Sequence, residues 1–235
     1  LKKAALAPPS GFELILTTDL PLAAGLSSSA AVELATALAL LQLGGHELGK
    51  SDLARLCRRA ENEFVGLPCG ILDQGVSAYG EKDHLVLIDC EKENFSTLPL
   101  PKHTCLWIFD TGIKHDLVDS LYATRHSECS QALKLLKKRE PALPCLAAAS
   151  EGLLTSSNLP NPLSKRTLHV IEETARVDRA IELLRDEAPP KEIGELLFAS
   201  HASSRDLFEN SCPELDFLVD DLRGRPSVLG ARLTG

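Results

Sequence analysis

The longest apolar run of the chain lies between Ala30 and Leu43. Nearly every position in it is Ala, Leu or Val, although polar residues such as Glu33 and Thr36 interrupt the pattern. Strong helix formers in such a run predict a buried helix. The run has fourteen residues, which is too short to cross a bilayer. We therefore expect a buried, rigid helix inside a folded domain.

The other periodic segments predict both strands and helices. Runs of β-forming residues predict strands at 12–17, 84–90, 104–110 and 228–233. Helical periodicity predicts helices at 117–138, 163–184, 192–203 and 213–222. Pro213 suits a first helical turn, and Ser51 is expected to cap a further helix that ends near Glu61. The polar stretch that contains Pro99 and Pro101 is expected to separate two domains, 1–100 and 101–235. The predicted fold class is α+β in two parts.

The turn before the long apolar helix carries the strongest chemical signal. It combines Gly25 with three consecutive hydroxyls, Ser27–Ser29, and Ala30 then opens the helix. Glycine lets the backbone approach a bulky anion, and the first amides of a helix have no internal partner and lie at its positive end. The turn is therefore a candidate phosphate site. A serine that only caps a buried helix is an equally good interpretation of the turn alone.

A second candidate segment follows the helix that ends near Glu61. Gly66, Pro68 and Gly70 enforce a loop, and Asp73 comes just after it. On the residues alone, an Asp that caps a turn is the ordinary interpretation of this carboxylate. On the same basis, Glu61 is a solvated charge on a helix surface.

Composition excludes several other classes of function. The formal net charge of −8 argues against nucleic acid or an anionic membrane surface as the main partner. The seven cysteines are odd in number, scattered and without a CxxC pair, which supports neither a disulfide framework nor a zinc site. No secretory or membrane-spanning run is visible. A reducing cytoplasm is the expected location.

Several motifs resemble those of one enzyme superfamily. Residues 19–31, read as DLPLAAGLSSSAA, resemble the second motif of the GHMP kinases, which comprise galactokinase, homoserine kinase, mevalonate kinase and phosphomevalonate kinase. Residues 61–74 and 84–90 are similar to the galactokinase segment that holds the catalytic aspartate and to the strand after it. The stretch 115–129 resembles a helix on the sugar side, and the stretches 200–206, 211–216 and 229–235 resemble the approach to the third motif. The chain is thus similar to the galactokinase branch over nearly its whole length.

The resemblance implies a fold and a set of roles. The implied fold is a two-domain GHMP kinase fold, with an N-terminal part like domain 2 of ribosomal protein S5 and a ferredoxin-like α/β C-terminal part. Asp73 would orient the acceptor hydroxyl and accept its proton, and Gly70 and Tyr122 would contact the hexose beside it. Mg²⁺ would be held by Glu61 and by Ser29, with Ser28 as the near alternative. The ATP phosphates would lie against Gly25, Leu26, Ser27, Ser28, Ser29 and Ala30.

The implied reaction is transfer of phosphate from ATP to the anomeric hydroxyl of galactose, which yields galactose 1-phosphate and ADP. A kinase for N-acetylgalactosamine, arabinose or another sugar is the first alternative. A sensor that binds sugar and ATP without catalysis is the second, although the serine-rich turn is complete here and such sensors are expected to shorten it. The sequence leaves the oligomeric state open.

Some residues have weaker assignments. Tyr122 is equally well explained as a half-buried core residue with a solvated hydroxyl. Arg125, His169 and His201 are expected to pair or hydrogen-bond for structural reasons, and no chemistry is assigned to His115.

Two departures from the family pattern stand out. Ala23 occupies a position where galactokinases carry glycine. The sugar-binding first motif is absent and the third motif stops at Gly235, so the sequence is expected to be an internal fragment, truncated at both ends. A polypeptide limited to residues 1–235 is then expected to be poorly folded and inactive, because unpaired sheet edges would remain. Cooperative unfolding together with normal turnover would contradict this expectation.

Overall fold

The structure is a computed structural model that describes residues 1, 4–6, 11–20, 25–112 and 118–234, without the side chains of residues 118–120. Ala23, His115 and Gly235 therefore lie outside the described residues. The internal contacts divide the chain after Leu100 into two units, residues 1–100 and residues 101–234. The fold is mixed α+β, as the sequence predicts.

Within the described residues, unit one has three α-helices and a β-hairpin. The helix Lys50–Ala60 continues directly into a π-helical turn at Glu61–Val65. The regular elements are α1 (Ser28–Leu43), α2 (Lys50–Ala60), α3 (Leu72–Tyr79), β1 (His84–Asp89) and β2 (Asn94–Pro99). The two strands are antiparallel, with His84 opposite Pro99 and Asp89 opposite Asn94.

The helix predicted from the apolar run is present, but it is not buried on all sides. One face of α1 contributes Leu34 and Leu41 to a core that also contains Leu53 and Cys57 of α2. The opposite face is open among the described residues, where Leu38 is 52% exposed. The expected burial is thus found on the face that packs into this core, and the other face is open within the described residues.

A glycine and an aromatic pair fix α3 on the hairpin. A Cβ at Gly75 would lie 2.6 Å from the Phe95 ring, so only glycine allows this approach of helix and strand. The Tyr79 ring stacks on Phe95 with 4.7 Å between the centroids. The Tyr79 hydroxyl also bonds Ser51 Oγ at 2.6 Å. The prediction that Ser51 caps α2 is therefore wrong, because Gly49 is the cap residue and Ser51 serves the α2–α3 contact.

The strand predictions have mixed outcomes. The strand expected at 84–90 is β1, and its partner β2 was missed because residues 94–99 look polar and end in proline. The predicted strands at 12–17, 104–110 and 228–233 do not form within the described residues, where β1 and β2 make the sheet. A run of β-forming residues becomes a strand only when it finds a ladder partner, and these runs find none in the described part. Their apolar side chains are correspondingly open, with Ile15 84% exposed and Trp107 77% exposed.

Unit two is helical. The helices predicted at 117–138, 163–184, 192–203 and 213–222 are all observed with small shifts of their ends, and Pro213 occupies a first turn as predicted. Helix α7 continues into a π-helical turn at Ser204–Phe208. The helices are α4 (Val118–Leu136), α5 (Glu151–Ser157), α6 (Leu163–Arg185), α7 (Pro190–Ser203) and α8 (Pro213–Arg223). No described helix combines the length and apolarity that a membrane crossing requires.

A buried arginine connects three parts of unit two. Arg166 on α6 donates from Nε to Glu128 of α4 at 2.7 Å and from Nη2 to Glu209 at 2.7 Å. Arg125 pairs with the same Glu128 at 3.0 Å, which confirms the structural pairing expected for it. Hydrogen bonds from Arg166 and Lys165 lower the pKa of Glu209 to about 2. The network holds the end of the second π turn against α4 and α6.

His201 on α7 holds the segment that contains Leu233. The backbone N–H of Leu233 donates to His201 Nδ1 at 3.2 Å, and Nε2 of the same ring lies 3.1 Å from Asp216 Oδ1 on α8. Nδ1 therefore carries no proton, and Nε2–H donates to Asp216. The backbones of Gly194 and Gly230 pack directly against each other, because a Cβ on Gly230 would clash with the Gly194 carbonyl oxygen and a Cβ on Gly194 with the Leu229 carbonyl oxygen. His201 is a structural hydrogen-bonding group, as the sequence predicts.

Burial lowers the pKa of His201, against the opposing charge and hydrogen bond of Asp216. The folded protein thus keeps the ring neutral at pH values where the unfolded chain, with a histidine pKa near 6.5, takes up a proton. This contribution to stability is complete above about pH 6.5 and is lost as the pH falls through the lowered folded pKa. We expect the free energy of unfolding, measured by urea titration, to fall between pH 7.5 and pH 5.

His201→Asn retains an acceptor near Nδ1 and does not titrate, so its free energy of unfolding should change less over the same range. His169 provides the comparison, because burial also lowers its pKa and His169→Asn should remove a separate part of the pH dependence. An unchanged pH dependence in His201→Asn would contradict this account.

Candidate functional site

Helix α1 begins at the predicted phosphate turn with an unusual backbone. Helix formation starts at Ser28, after Ser27 in the left-handed region at φ 52°, and Gly25 also has a positive φ of 67°. A cap residue normally has extended backbone angles and uses its side chain to bond an amide of the first turn. Ser27 does neither, since its side chain makes no capping bond. The interpretation of this serine as an ordinary helix cap is therefore wrong.

The first amides of α1 are left available. The first intrahelical bond runs from Ala31 N–H to the Ser27 carbonyl at 3.1 Å. The described residues offer no partner to the amides of Ser28, Ser29 and Ala30, and the first turn contains no acidic side chain. Unpaired amides at the positive end of a helix favour an anion. The local structure thus fits the phosphate site that the sequence predicts.

Glu61 is buried at the point where α2 becomes a π-helical turn. The turn closes with a bond from Gly66 N–H to the Glu61 carbonyl at 2.9 Å. Within it, Asn62 Oδ1 accepts from Cys69 N–H at 2.9 Å and so ties down the following loop. The Glu61 residue is only 7% exposed, which excludes its interpretation as a solvated surface charge. Single π turns inside α-helices are frequent at functional sites.

Gln74 joins Glu61 to α1. Its side-chain Nε2 donates to Glu61 Oε2 at 2.6 Å and to Glu33 Oε2 at 3.2 Å. Glu33 lies four residues after Ser29, on the same face of α1. Gln74 directly follows Asp73 on α3 and is fully buried. These bonds bring the start of α1, the end of α2 and the start of α3 together.

The environment of this cluster favours the protonated forms of Glu33 and Cys69. Burial raises the pKa of Glu33, and the nearby charge of Glu61 adds to the effect against the hydrogen bond from Gln74. Burial also raises the pKa of Cys69 to about 11, and the Glu61 carboxylate 3.4 Å from its Sγ acts in the same direction. The Cys69 thiol is therefore protonated at neutral pH and acts as a donor to Glu61, not as a nucleophile.

The other predicted residues of unit one lie close by along the chain. Asp73 is partly buried in the first turn of α3, and no hydrogen bond to another described residue is recorded for its carboxylate. Gly70 is exposed, and an added Cβ there would meet no atom within 4 Å among the described residues. Sterics in this structure thus do not require glycine at position 70.

Tyr122 belongs to unit two and lies in α4. It is 49% exposed. The sequence therefore places it correctly on a helix, and its predicted contact with a sugar stays a prediction.

The sequence did not identify Glu33 or Asn62 as site residues. It also did not predict that Gln74 bridges two carboxylates. Glu33 had a visible signal, because it is a lone carboxylate in an otherwise apolar helix. The bridge made by Gln74 had no local sequence signal, because it joins residues that are 41 and 13 positions away.

The residues present fit a magnesium ion. No group of three or more His, Cys, Asp or Glu side chains that could hold a metal occurs within the described residues. Mg²⁺ does not need one, because it usually keeps several waters and binds through one or two carboxylates together with substrate phosphates. The hydrogen bonds that Glu61 accepts from described side chains fall on Oε2, which leaves Oε1 as a hard oxygen that could bind the cation.

Comparison with known proteins gives a consistent result. Residues 1–81 match the family described as "GHMP kinases N terminal domain". The galactokinase of Thermotoga neapolitana is 42% identical over 227 residues, and that of Thermotoga maritima is 40% identical; each match covers 96% of this chain and 63% of the relative. The solved structure of Lactococcus lactis galactokinase complexed with galactose superposes with a TM-score of 0.83 at 31% identity, covering 92% of this chain and 56% of that one. The chain thus spans less than two thirds of the length of these relatives.

The unusual start of α1 leads to a stability prediction. Ser27→Ala removes no capping bond and leaves a Cβ at the same backbone angles, so the free energy of unfolding should change by less than about 0.5 kcal/mol. Ser150 is the matched control, because it does cap α5 by accepting from Leu153 N–H at 3.1 Å. Ser150→Ala should cost about 1 kcal/mol. Urea titrations of both variants test the difference, and an equal loss in the two would contradict the described geometry at Ser27.

Proposed function

We propose that the chain belongs to the galactokinase branch of the GHMP kinases, and that the protein phosphorylates the anomeric hydroxyl of galactose with ATP. The products are galactose 1-phosphate and ADP. The observation that carries the proposal is the bridge of Gln74 to Glu61 and Glu33. It connects α1, whose start is the proposed phosphate site, with the buried Glu61 carboxylate and with α3, the helix that carries Asp73.

The helix start would hold the nucleotide phosphates. The backbone amides of Ser28, Ser29 and Ala30 would donate to phosphate oxygens, with Gly25, Leu26 and Ser27 forming the turn around them. Phosphoryl transfer passes through a loose anionic transition state, so fixed donors at this position stabilise the charge that the reaction spreads over the phosphate oxygens.

Glu61 and Ser29, or Ser28 in its place, would hold Mg²⁺. The cation, when bound, neutralises charge on the transferred phosphate. Glu61 would bind through Oε1, because its Oε2 already accepts from Gln74. The buried position of Glu61 keeps its carboxylate in one place.

Asp73 would act on the sugar. Its carboxylate would accept a hydrogen bond from the anomeric hydroxyl, orient the oxygen toward the terminal phosphate and take its proton as the new bond forms. Gly70 would contribute a backbone contact to the hexose and Tyr122 a phenolic hydroxyl. In domain terms, residues 1–100 would be the remainder of the ATP-binding domain and residues 101–235 the C-terminal domain. The free state of all seven cysteines supports a cytoplasmic location.

A coupled assay of ADP release, run with one sugar at a time, tests the function. Turnover that depends on galactose and on Mg²⁺ is expected. Turnover with N-acetylgalactosamine or arabinose alone would contradict the proposed substrate. Tight binding of galactose and ATP without ADP release would identify a sensor instead of a kinase.

Asp73→Asn tests the proposed base. The amide keeps the size of the side chain but cannot accept the proton, so kcat should fall by roughly 10²–10⁴-fold while the KM values for sugar and nucleotide change little. Asp52→Asn is the control, because Asp52 lies exposed on α2 in a pair with Arg55, and its turnover should match the wild type. Retention of most turnover by Asp73→Asn would remove Asp73 from the mechanism.

A further inference from the structure

Gln74 occupies a position that stability alone does not explain. It is fully buried, and its Oε1 atom has no hydrogen-bond partner among the described residues. A buried amide oxygen without a partner costs free energy of unfolding, and such groups are uncommon in folded proteins. An apolar side chain of similar volume would avoid that cost but would leave Glu61 and Glu33 without this donor. The residue therefore serves something other than packing.

The bonds of the amide group indicate what it serves. The Nε2 group has two protons, and its two carboxylate contacts are at 2.6 Å on Glu61 and 3.2 Å on Glu33. Only the donor end of an amide fits between two carboxylate oxygens, because the acceptor end would be repelled by both. The orientation that satisfies Glu61 and Glu33 thus leaves Oε1 without a described partner.

The shorter bond also determines which oxygen of Glu61 is available. Gln74 Nε2–H donates to Oε2 at 2.6 Å, and the Cys69 thiol, whose one proton is shared with Asn62 Oδ1, lies 3.4 Å from the same oxygen. With Oε2 held by the short bond from Gln74, the carboxylate cannot rotate freely about its last bond, and Oε1 is left as the available oxygen. Groups that orient a metal-binding carboxylate in this way commonly change metal affinity by 10–100-fold when they are removed.

We propose that Gln74 is a positioning residue that fixes the Glu61 carboxylate for the cation, acting through its Nε2 donor and not through any contact with substrate. This proposal rests on the proposed function, since it assumes that Glu61 holds the cation of a nucleotide complex. Gln74 sets the affinity for the metal-nucleotide complex. The affinities for metal-free nucleotide and for sugar do not depend on it.

The test compares three binding constants in variants of Gln74. Gln74→Met keeps the volume without donors, and Gln74→Asn keeps the amide but is one methylene too short to reach Glu61. Mn²⁺ serves as the metal probe, with the Mn²⁺–ADP complex followed by electron paramagnetic resonance. Metal-free ADP in EDTA and galactose are titrated by calorimetry. Both variants should bind Mn²⁺–ADP about tenfold more weakly or worse, with the other two constants within about twofold of the wild type.

Glu33→Gln is the matched control. It removes the other carboxylate partner and leaves the 2.6 Å bond between Gln74 and Glu61 available. Its affinity for Mn²⁺–ADP should therefore lie much closer to the wild type than that of either Gln74 variant. A loss as large as that in Gln74→Met would overturn the assignment, because it would trace the effect to the charge of Glu33.

Other outcomes also decide the question. Wild-type affinity for Mn²⁺–ADP in the two Gln74 variants would overturn the proposal, as would an equal loss of all three affinities or a failure of both variants to fold by circular dichroism. A wild-type protein that binds neither Mn²⁺–ADP nor galactose would instead overturn the proposed function.

Discussion

The hydrogen bonds from one buried amide, Gln74, hold the candidate site together. They connect α1 through Glu33, the end of α2 through Glu61, and α3, which carries both Gln74 and Asp73. Without them, two carboxylates would face each other in a partly buried space, where like charges repel strongly. The three helices can approach because this amide supplies a donor to each carboxylate. The orientation of the Glu61 carboxylate, the proposed cation ligand, depends on that arrangement.

The rest of unit one supports the same geometry from outside. Gly75 lets α3 lie directly on the hairpin, and the stacked rings of Tyr79 and Phe95 fix its orientation. The π-helical turn gives the chain an extra residue at the end of α2, so that Glu61 faces inward and the loop toward Asp73 can start. Rigid support of this kind is what a phosphoryl-transfer site requires, because most of its catalysis comes from positioning.

The sequence predicted the helices well and the site in part. Helical periodicity is local, and the helices of unit two appear within a few residues of the expected ends. The turn at Ser27–Ser29 and the loop before Asp73 carry local signals of glycine, proline and hydroxyl residues. The strands predicted at 12–17, 104–110 and 228–233 do not form within the described residues. Strand pairing depends on a distant partner that local composition does not reveal. The bridge from Gln74 was invisible for the same reason, since it joins three segments far apart in sequence.

The most direct measurement is a crystal structure of the protein with Mg²⁺, a non-hydrolysable ATP analogue and galactose. The account predicts phosphate oxygens about 3 Å from the amides of Ser28, Ser29 and Ala30, and the cation on Glu61 Oε1. It also predicts the Asp73 carboxylate within hydrogen-bonding reach of the anomeric hydroxyl. Phosphates bound away from the start of α1, or a cation that does not contact Glu61, would contradict it.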